Sequence, residues 1–288
     1  MDKIDPLQED RFRFIDFLLL FKGGFTRAEL VERFSIGEAT ASRSIASFLE
    51  VYPQAVEYLG PRKGYAALKG FSPRFEHRAE NGLLYVMSGK ITQAFEVKSY
   101  GAPIYSLQKA LEVKPVAAIT RAIVNQREAS IQYVSTTSGA KSRSVAPHAI
   151  FYAGGSWYFR AFDQNSHEFR TFKFSRLPVA VEMGKVESQK WLGGRDDAWN
   201  RMRIVQLVPH PKNPLPDALW QDLGVKDSET KELTVSEACL GFVLTDLRVD
   251  CSKGSRLNCH QYPLALKNLD ELKEIDSLIF APGFKTTN

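Results

Sequence analysis

The chain has 288 residues, is 44% hydrophobic and 25% charged, and carries a formal net charge of +5. This composition and length fit a globular protein with a substantial core and two or three domains, and they exclude a low-complexity or disulfide-scaffold class. No apolar run approaches the roughly 20 residues of a membrane span, and Asp2, Asp5, Glu9 and Asp10 stand where a signal peptide would begin.

From the N-terminus, residues 9–22 place Phe12, Ile15, Leu18 and Leu19 on one helical stripe, which Gly23-Gly24 ends. Thr26 then opens TRAELVERF, and Glu29 three positions later completes a capping box. After a short turn at Ser35-Ile36-Gly37, a third helix carries Ile45, Phe48 and Leu49 on one side. Strand-like runs 55–59 and 65–68 flank the basic turn Gly60-Pro61-Arg62-Lys63-Gly64. Three helices with a tight second turn, followed by a hairpin, predict a winged helix-turn-helix over residues 1–75.

Residues 76–115 read as a helical linker loosened at SYGAPIYS, and Pro115 is placed to open the next helix. From Ala129 the hydrophobic period becomes two, through ASIQYVS, KSRSVAPHAIFY, SWYFRAF and EFRTFKF. Short strands with tight turns predict a small curved sheet or barrel over residues 116–184. Residues 185–288 begin with a linker containing Trp191 and Gly193-Gly194. They continue with the strand RIVQLV, a short helix, a charged loop at 226–232, the apolar segment ACLGFVL and a helix at LDELKEID. The fold class is therefore α+β. Cys239, Cys251 and Cys259 form no CxxC pair and leave an odd count, so a reduced, cytoplasmic protein without a zinc knuckle is expected.

Two stretches carry candidate chemistry. The third helix begins Glu38-Ala39-Thr40-Ala41-Ser42-Arg43-Ser44, short side chains with one arginine, which suits entry into the major groove. Arg43 has the reach for guanine, Thr40, Ser42 and Ser44 for base edges or phosphates, and Thr26 for a phosphate at a helix start. Arg62 and Lys63 at the wing tip suit phosphates. A winged helix that docks a protein is the alternative, because residues 1–75 are near neutral, with 11 Lys/Arg against 10 Asp/Glu.

The second stretch is GGSWYFRAFDQNSHEFRTFKFSRL, residues 154–177, where arginines stand among aromatic rings. Residues 116–203 hold 13 Lys/Arg against 7 Asp/Glu, a net of +6, so the positive excess of the chain lies here. Alternation groups Tyr158, Arg160 and Phe162 on one face, and Arg170, Phe172 and Phe174 on another strand's face, with Arg176 continuing. Rings beside guanidinium groups suit a ligand with a base and a phosphate. An aromatic core whose arginines reach out to water fits the residue types slightly better. Enzyme motifs are absent: there is no GxSxG, P-loop, GxGxxG or HExxH, and the five histidines are scattered. No enzyme activity, cofactor or metal is expected.

The hairpin Trp157-Tyr158-Phe159 with Ala161-Phe162-Asp163 and RTFKFSRL resembles the WYL domain of bacterial transcription regulators, with Phe159 where leucine is usual. Pro147-His148-Ala149 and WYFRAF look closest to the WYL regulators of BREX and CBASS phage-defence operons. ATASRSI in the third helix, and Pro209-His210-Pro211 with LGFVLTDLRVDCS downstream, are similar to the same regulators. The resemblance covers nearly the whole chain. It implies an Sm- or SH3-like small barrel, a C-terminal dimerisation extension and a homodimer on operator DNA with an inverted repeat. It further implies a repressor of its own phage-defence operon, with a pocket that senses an anionic nucleotide or nucleic-acid ligand. By motif position that pocket takes His148, Trp157, Tyr158, Arg160, Arg170, Phe172 and Arg176, with Tyr133 and Ser135 as additions. The alternative is a single-stranded nucleic-acid-binding module that stacks bases on the same aromatic residues.

Overall fold

The computed structural model describes residues 5–89, 110–224 and 230–285. Half of the expected linker, including SYGAPIYS, and part of the charged loop at 226–232 lie outside the described residues. Two compact units are present: residues 1–150 with 159–188, and residues 151–158 with 189–288.

The first unit opens with α1 (Pro6–Phe21), whose buried residues include Phe12, Ile15, Leu18, Leu19 and Phe21. It packs against the helices Glu38–Val51, Ala79–Ser88 and Val113–Val124, so its apolar stripe is wider than a two-partner helix needs. A short strand β1 (Gly24–Phe25) follows, then α2 (Arg27–Phe34) and α3 (Glu38–Val51). Ser35, at φ 51°, turns the chain between the two helices. The wing is β2 (Val56–Gly60) and β3 (Gly64–Ala67), and the three strands form a sheet of order β1-β3-β2. β1 is too short to show any periodicity in sequence. Gly64 is required twice over, by its φ of +72° and because a Cβ there would strike the Phe25 carbonyl.

Next come α4 (Ala79–Ser88) and α5 (Val113–Val124). α5 starts two residues before Pro115, which still sits in the first turn, where a missing N–H costs no intrahelical bond. Strands β4 (Arg127–Ser135), β5 (Gly139–Ala153), β6 (Ser156–Asp163), β7 (Glu168–Lys173) and β8 (Val179–Lys185) form one sheet of order β7-β6-β5-β4-β8. β7 and β8 are its two edges, so the expected small barrel takes the form of a five-stranded sheet without a β7–β8 ladder among the described residues. Arg121 on α5 ties this unit together: its Nη1 donates to the Leu20 carbonyl of α1 at 2.7 Å, and its Nε to Glu182 of β8 at 2.8 Å.

The second unit contains the tip of the β5–β6 hairpin, residues 151–158. It continues with α6 (Asp197–Asn200), β9 (Met202–Pro209), α7 (Asp217–Leu223), β10 (Lys231–Ser236), α8 (Leu240–Asp246), β11 (Val249–Asp250), β12 (Leu264–Leu266) and α9 (Leu269–Leu272). The sheet order is β10-β9-β12-β11. Its core joins Phe151 to Leu207, Leu240, Leu244 and Leu278. The sequence LDELKEID is helical only over its first half. A 3-10 turn at Asp276–Phe280 follows and buries Leu278.

Candidate nucleic-acid interface and anion site

The start of α2 is held firmly. The Glu29 carboxylate accepts from the Thr26 backbone N–H at 2.8 Å and hydroxyl at 3.1 Å, from Lys22 Nζ at 2.6 Å and from the Tyr85 hydroxyl at 3.2 Å. Burial, and then the Glu29 charge, push the Tyr85 phenol far up, which keeps it a donor. Thr26 is thus fixed at the head of α2, where backbone N–H groups favour a phosphate.

On α3, Ser42 and Arg43 are exposed and Thr40 is partly so, with Arg43 Nη2 donating to Thr40 Oγ1 at 3.3 Å. Arg62 and Lys63 are exposed at the wing turn. Ser44 does not belong to this surface. It is 2% exposed, donates to Gln8 Oε1 at 3.0 Å and accepts from Arg11 Nη1 at 3.3 Å, because the helical turn carries it onto α1. A groove of about 770 Å³ runs between α2, α3 and the wing, with Thr26, Ser42 and Arg62 on its walls.

The β6–β7 hairpin is registered by three cross-strand contacts. Phe159 stacks on Phe172 at 5.2 Å, Phe162 meets Phe169 edge-on at 5.2 Å, and Arg160 Nη1 donates to Thr171 Oγ1 at 3.3 Å. Strand alternation then separates two faces. One is a core face, where Phe159, Phe172 and Phe174 pack together and Tyr133 meets Phe172 edge-on. The Tyr133 hydroxyl accepts from the Lys173 backbone N–H at 3.0 Å. The opposite face carries Arg160, Phe162, Phe169, Thr171 and Lys173, with the His148 ring edge-on to Phe169 at 5.6 Å.

Arg160 and Arg170 therefore lie on opposite faces of the strand pair, and the expected pocket set divides. His148 and Arg160 stay together, and Arg176 is close enough to act on Lys173. Burial first, and then the Arg176 charge, lower the Lys173 pKa, as expected where a second cation stands close to a partly desolvated ammonium. Phe172 and Tyr133 are core rings, at 3% and 8% exposure. Arg170 is exposed and paired with Glu168. Ser135 accepts from the backbone N–H groups of Thr137 and Ser138 at the β4–β5 turn. Trp157 and Tyr158 belong to the second unit, where Tyr158 stacks on Phe151 at 5.1 Å and meets Phe242 at 5.0 Å.

Three family descriptions match successive parts of the chain. Residues 8–89 match the BrxR transcriptional regulator winged helix-turn-helix domain, and residues 115–182 the WYL domain. Residues 202–272 match the BrxR transcriptional regulator C-terminal dimerization domain. The chain is a WYL-domain transcriptional regulator of the BrxR type.

Among the relatives of this regulator is the DNA-binding transcriptional repressor CapW of Escherichia coli strain KTE188. It is 28% identical over 280 residues, covering 92% of this chain and 90% of the relative. CapW of Pseudomonas aeruginosa is 26% identical over 277 residues, covering 93% and 91%. Among solved structures, the proteasome accessory factor B/C of Arthrobacter aurescens covers 92% of this chain and 46% of its own at 14% identity, with a TM-score of 0.26. The WYL regulator has residues on the Arg160 face that sequence reading passed over, namely Phe169, Thr171 and Lys173. Pairing the hairpin about its polar loop, with Arg160 opposite Thr171, would have found them.

Proposed function

We propose that the protein is a homodimeric repressor that binds a duplex operator with an inverted repeat through α3 and the wing. It controls its own phage-defence operon in the cytoplasm. The observation that carries this reading is the exposed Ser42 and Arg43, with the partly exposed Thr40, on α3 together with the exposed Arg62 and Lys63 of the wing turn. The names of the CapW relatives and the C-terminal dimerization match support repression and a dimer.

An anion, a nucleotide or a nucleic-acid end, is sensed by His148, Arg160, Lys173 and Arg176, with Thr171 and Phe169 completing the site. The depressed Lys173 supports this, because a phosphate there relieves cation crowding. The site regulates only to the extent that the anion prefers one state of the dimer, and a coupling of about 1–3 kcal/mol changes operator affinity about 5–150-fold.

The test titrates a preformed complex of the protein with the duplex upstream of its gene, using mono- and dinucleotides and short single strands. One of these changes duplex affinity of the wild type, while R160A and K173A bind the duplex normally and do not respond. Equal responses in both variants and the wild type would remove the anion site from the account.

A further inference from the structure

Across the mouth of the groove between α2, α3 and the wing, the first residues of the two helices are joined. Arg27 Nη2 lies 2.8 Å from Glu38 Oε2, and Arg27 Nη1 donates to Ser42 Oγ at 3.4 Å. Glu38 and Ser42 are one helical turn apart, so the guanidinium lies along the outer face of α3. Both charged side chains are largely in water, at 50% and 72% exposure, so the pair is weak and readily exchanged for a better partner. Thr26, Arg27, Glu38, Ser42, Tyr58 and Arg62 share this one groove.

A phosphate beside Arg27 competes with Glu38 for the guanidinium, because Nη2 already serves the carboxylate and Nη1 serves Ser42. The released carboxylate at the head of α3 then faces the duplex. In the major groove it is satisfied by an exocyclic amino donor, such as N4 of cytosine, and where no donor stands there it is left desolvated and repelled by phosphate.

We infer that Arg27 contacts a DNA phosphate and is held off it in the free protein by Glu38, which makes Glu38 a specificity determinant that weakens binding to duplexes lacking the operator. The inference rests on the operator-binding reading above and deepens it.

Fluorescence anisotropy on the full-length protein tests it, with the duplex upstream of its own gene and a scrambled duplex, from about 50 to 200 mM salt. R27A is expected to lower the slope of log affinity against log salt by about one per protomer on both duplexes, the value for one lost phosphate contact. E38Q is expected to tighten the scrambled duplex about 5–30-fold and the upstream duplex less than about threefold, on the scale of one base-edge contact. The double variant R27A/E38Q should lose that gain, and thermal melting of each variant controls for folding. An unchanged slope in R27A, or equal tightening of both duplexes by E38Q, overturns the inference while the wild type still prefers its upstream duplex. A wild type that binds neither duplex overturns the operator reading and this inference together.

Discussion

Replacing Arg121 by alanine should loosen the joint between the winged helix and the five-stranded sheet. Arg121 supplies one of the orphan carbonyls at the end of α1 with a donor, at 2.7 Å, and holds Glu182 of β8 at 2.8 Å. Its side chain is 26% exposed and that of Glu182 is 18%, so solvent screening is partial. A hydrogen bond to a charged group contributes roughly 1.5–3 kcal/mol. Glu182 keeps Arg127 at 2.9 Å, which offsets part of the second loss. The expected cost is then about 2–3 kcal/mol, or a fall of about 4–12 °C in the melting temperature of a unit this size. R121K should recover less than half, because a single ammonium cannot span both acceptors with the guanidinium geometry. Differential scanning calorimetry gives the magnitude, and hydrogen exchange at the α1 C-terminus gives its location. A melting temperature within 1 °C of wild type for R121A, with unchanged exchange at Leu20–Lys22, would refute this account of the joint.

Three further outcomes follow from the packing. S44A should lower stability by about 1–2 kcal/mol in chemical denaturation, by stranding Gln8 and Arg11, and leave the salt slope of duplex binding unchanged. In the second unit, the Asp250 carboxylate is buried, which alone would raise its pKa. Donors from Ser252, Leu257 and His210 outweigh that and hold it below its ordinary value. A depressed carboxyl stabilises the fold above its unfolded pKa and loses that contribution as pH falls through the folded value. Acid unfolding below about pH 4 should therefore flatten in D250N, which should also be about 2–4 kcal/mol less stable at pH 7. Burial and the neighbouring Asp250 push the Cys251 thiol up to about 12, and Cys239 is buried, whereas Cys259 is partly exposed. Native protein should thus react rapidly with one equivalent of a thiol reagent and with three after unfolding.

The helix-turn-helix and wing were legible because their signals are local: the Thr26–Glu29 capping box, the Ser35 turn and the basic turn at 60–64 each lie within a few residues. β1 was not, since two residues of strand carry no period and form only where β3 supplies a ladder. In the hairpin, alternation placed Phe172 and Arg170 on one face of a strand. It could not say that this face meets Phe159 and Tyr133 in a core while Arg160 points the other way, because cross-strand register is set by pairing. Tyr158 was read with Arg160 for the same reason of parity. Its ring is stacked on Phe151 and packed against Phe242, 84 positions downstream, which no local pattern reveals. His210 and Asp250 illustrate the same distance, since the ring accepts from Lys212 N–H at Nδ1 and donates from Nε2 to a carboxylate 40 residues away.

The central claim, that α3 reads a duplex operator, is tested most directly by a gel shift on the duplex upstream of the gene with R43A and R170A, without added nucleotide. R43A should weaken binding by about 5–150-fold, the worth of roughly 1–3 kcal/mol for a bidentate base contact, while R170A binds as wild type. Intact binding in R43A with loss of binding in R170A would contradict the account and move the nucleic-acid surface to the aromatic sheet.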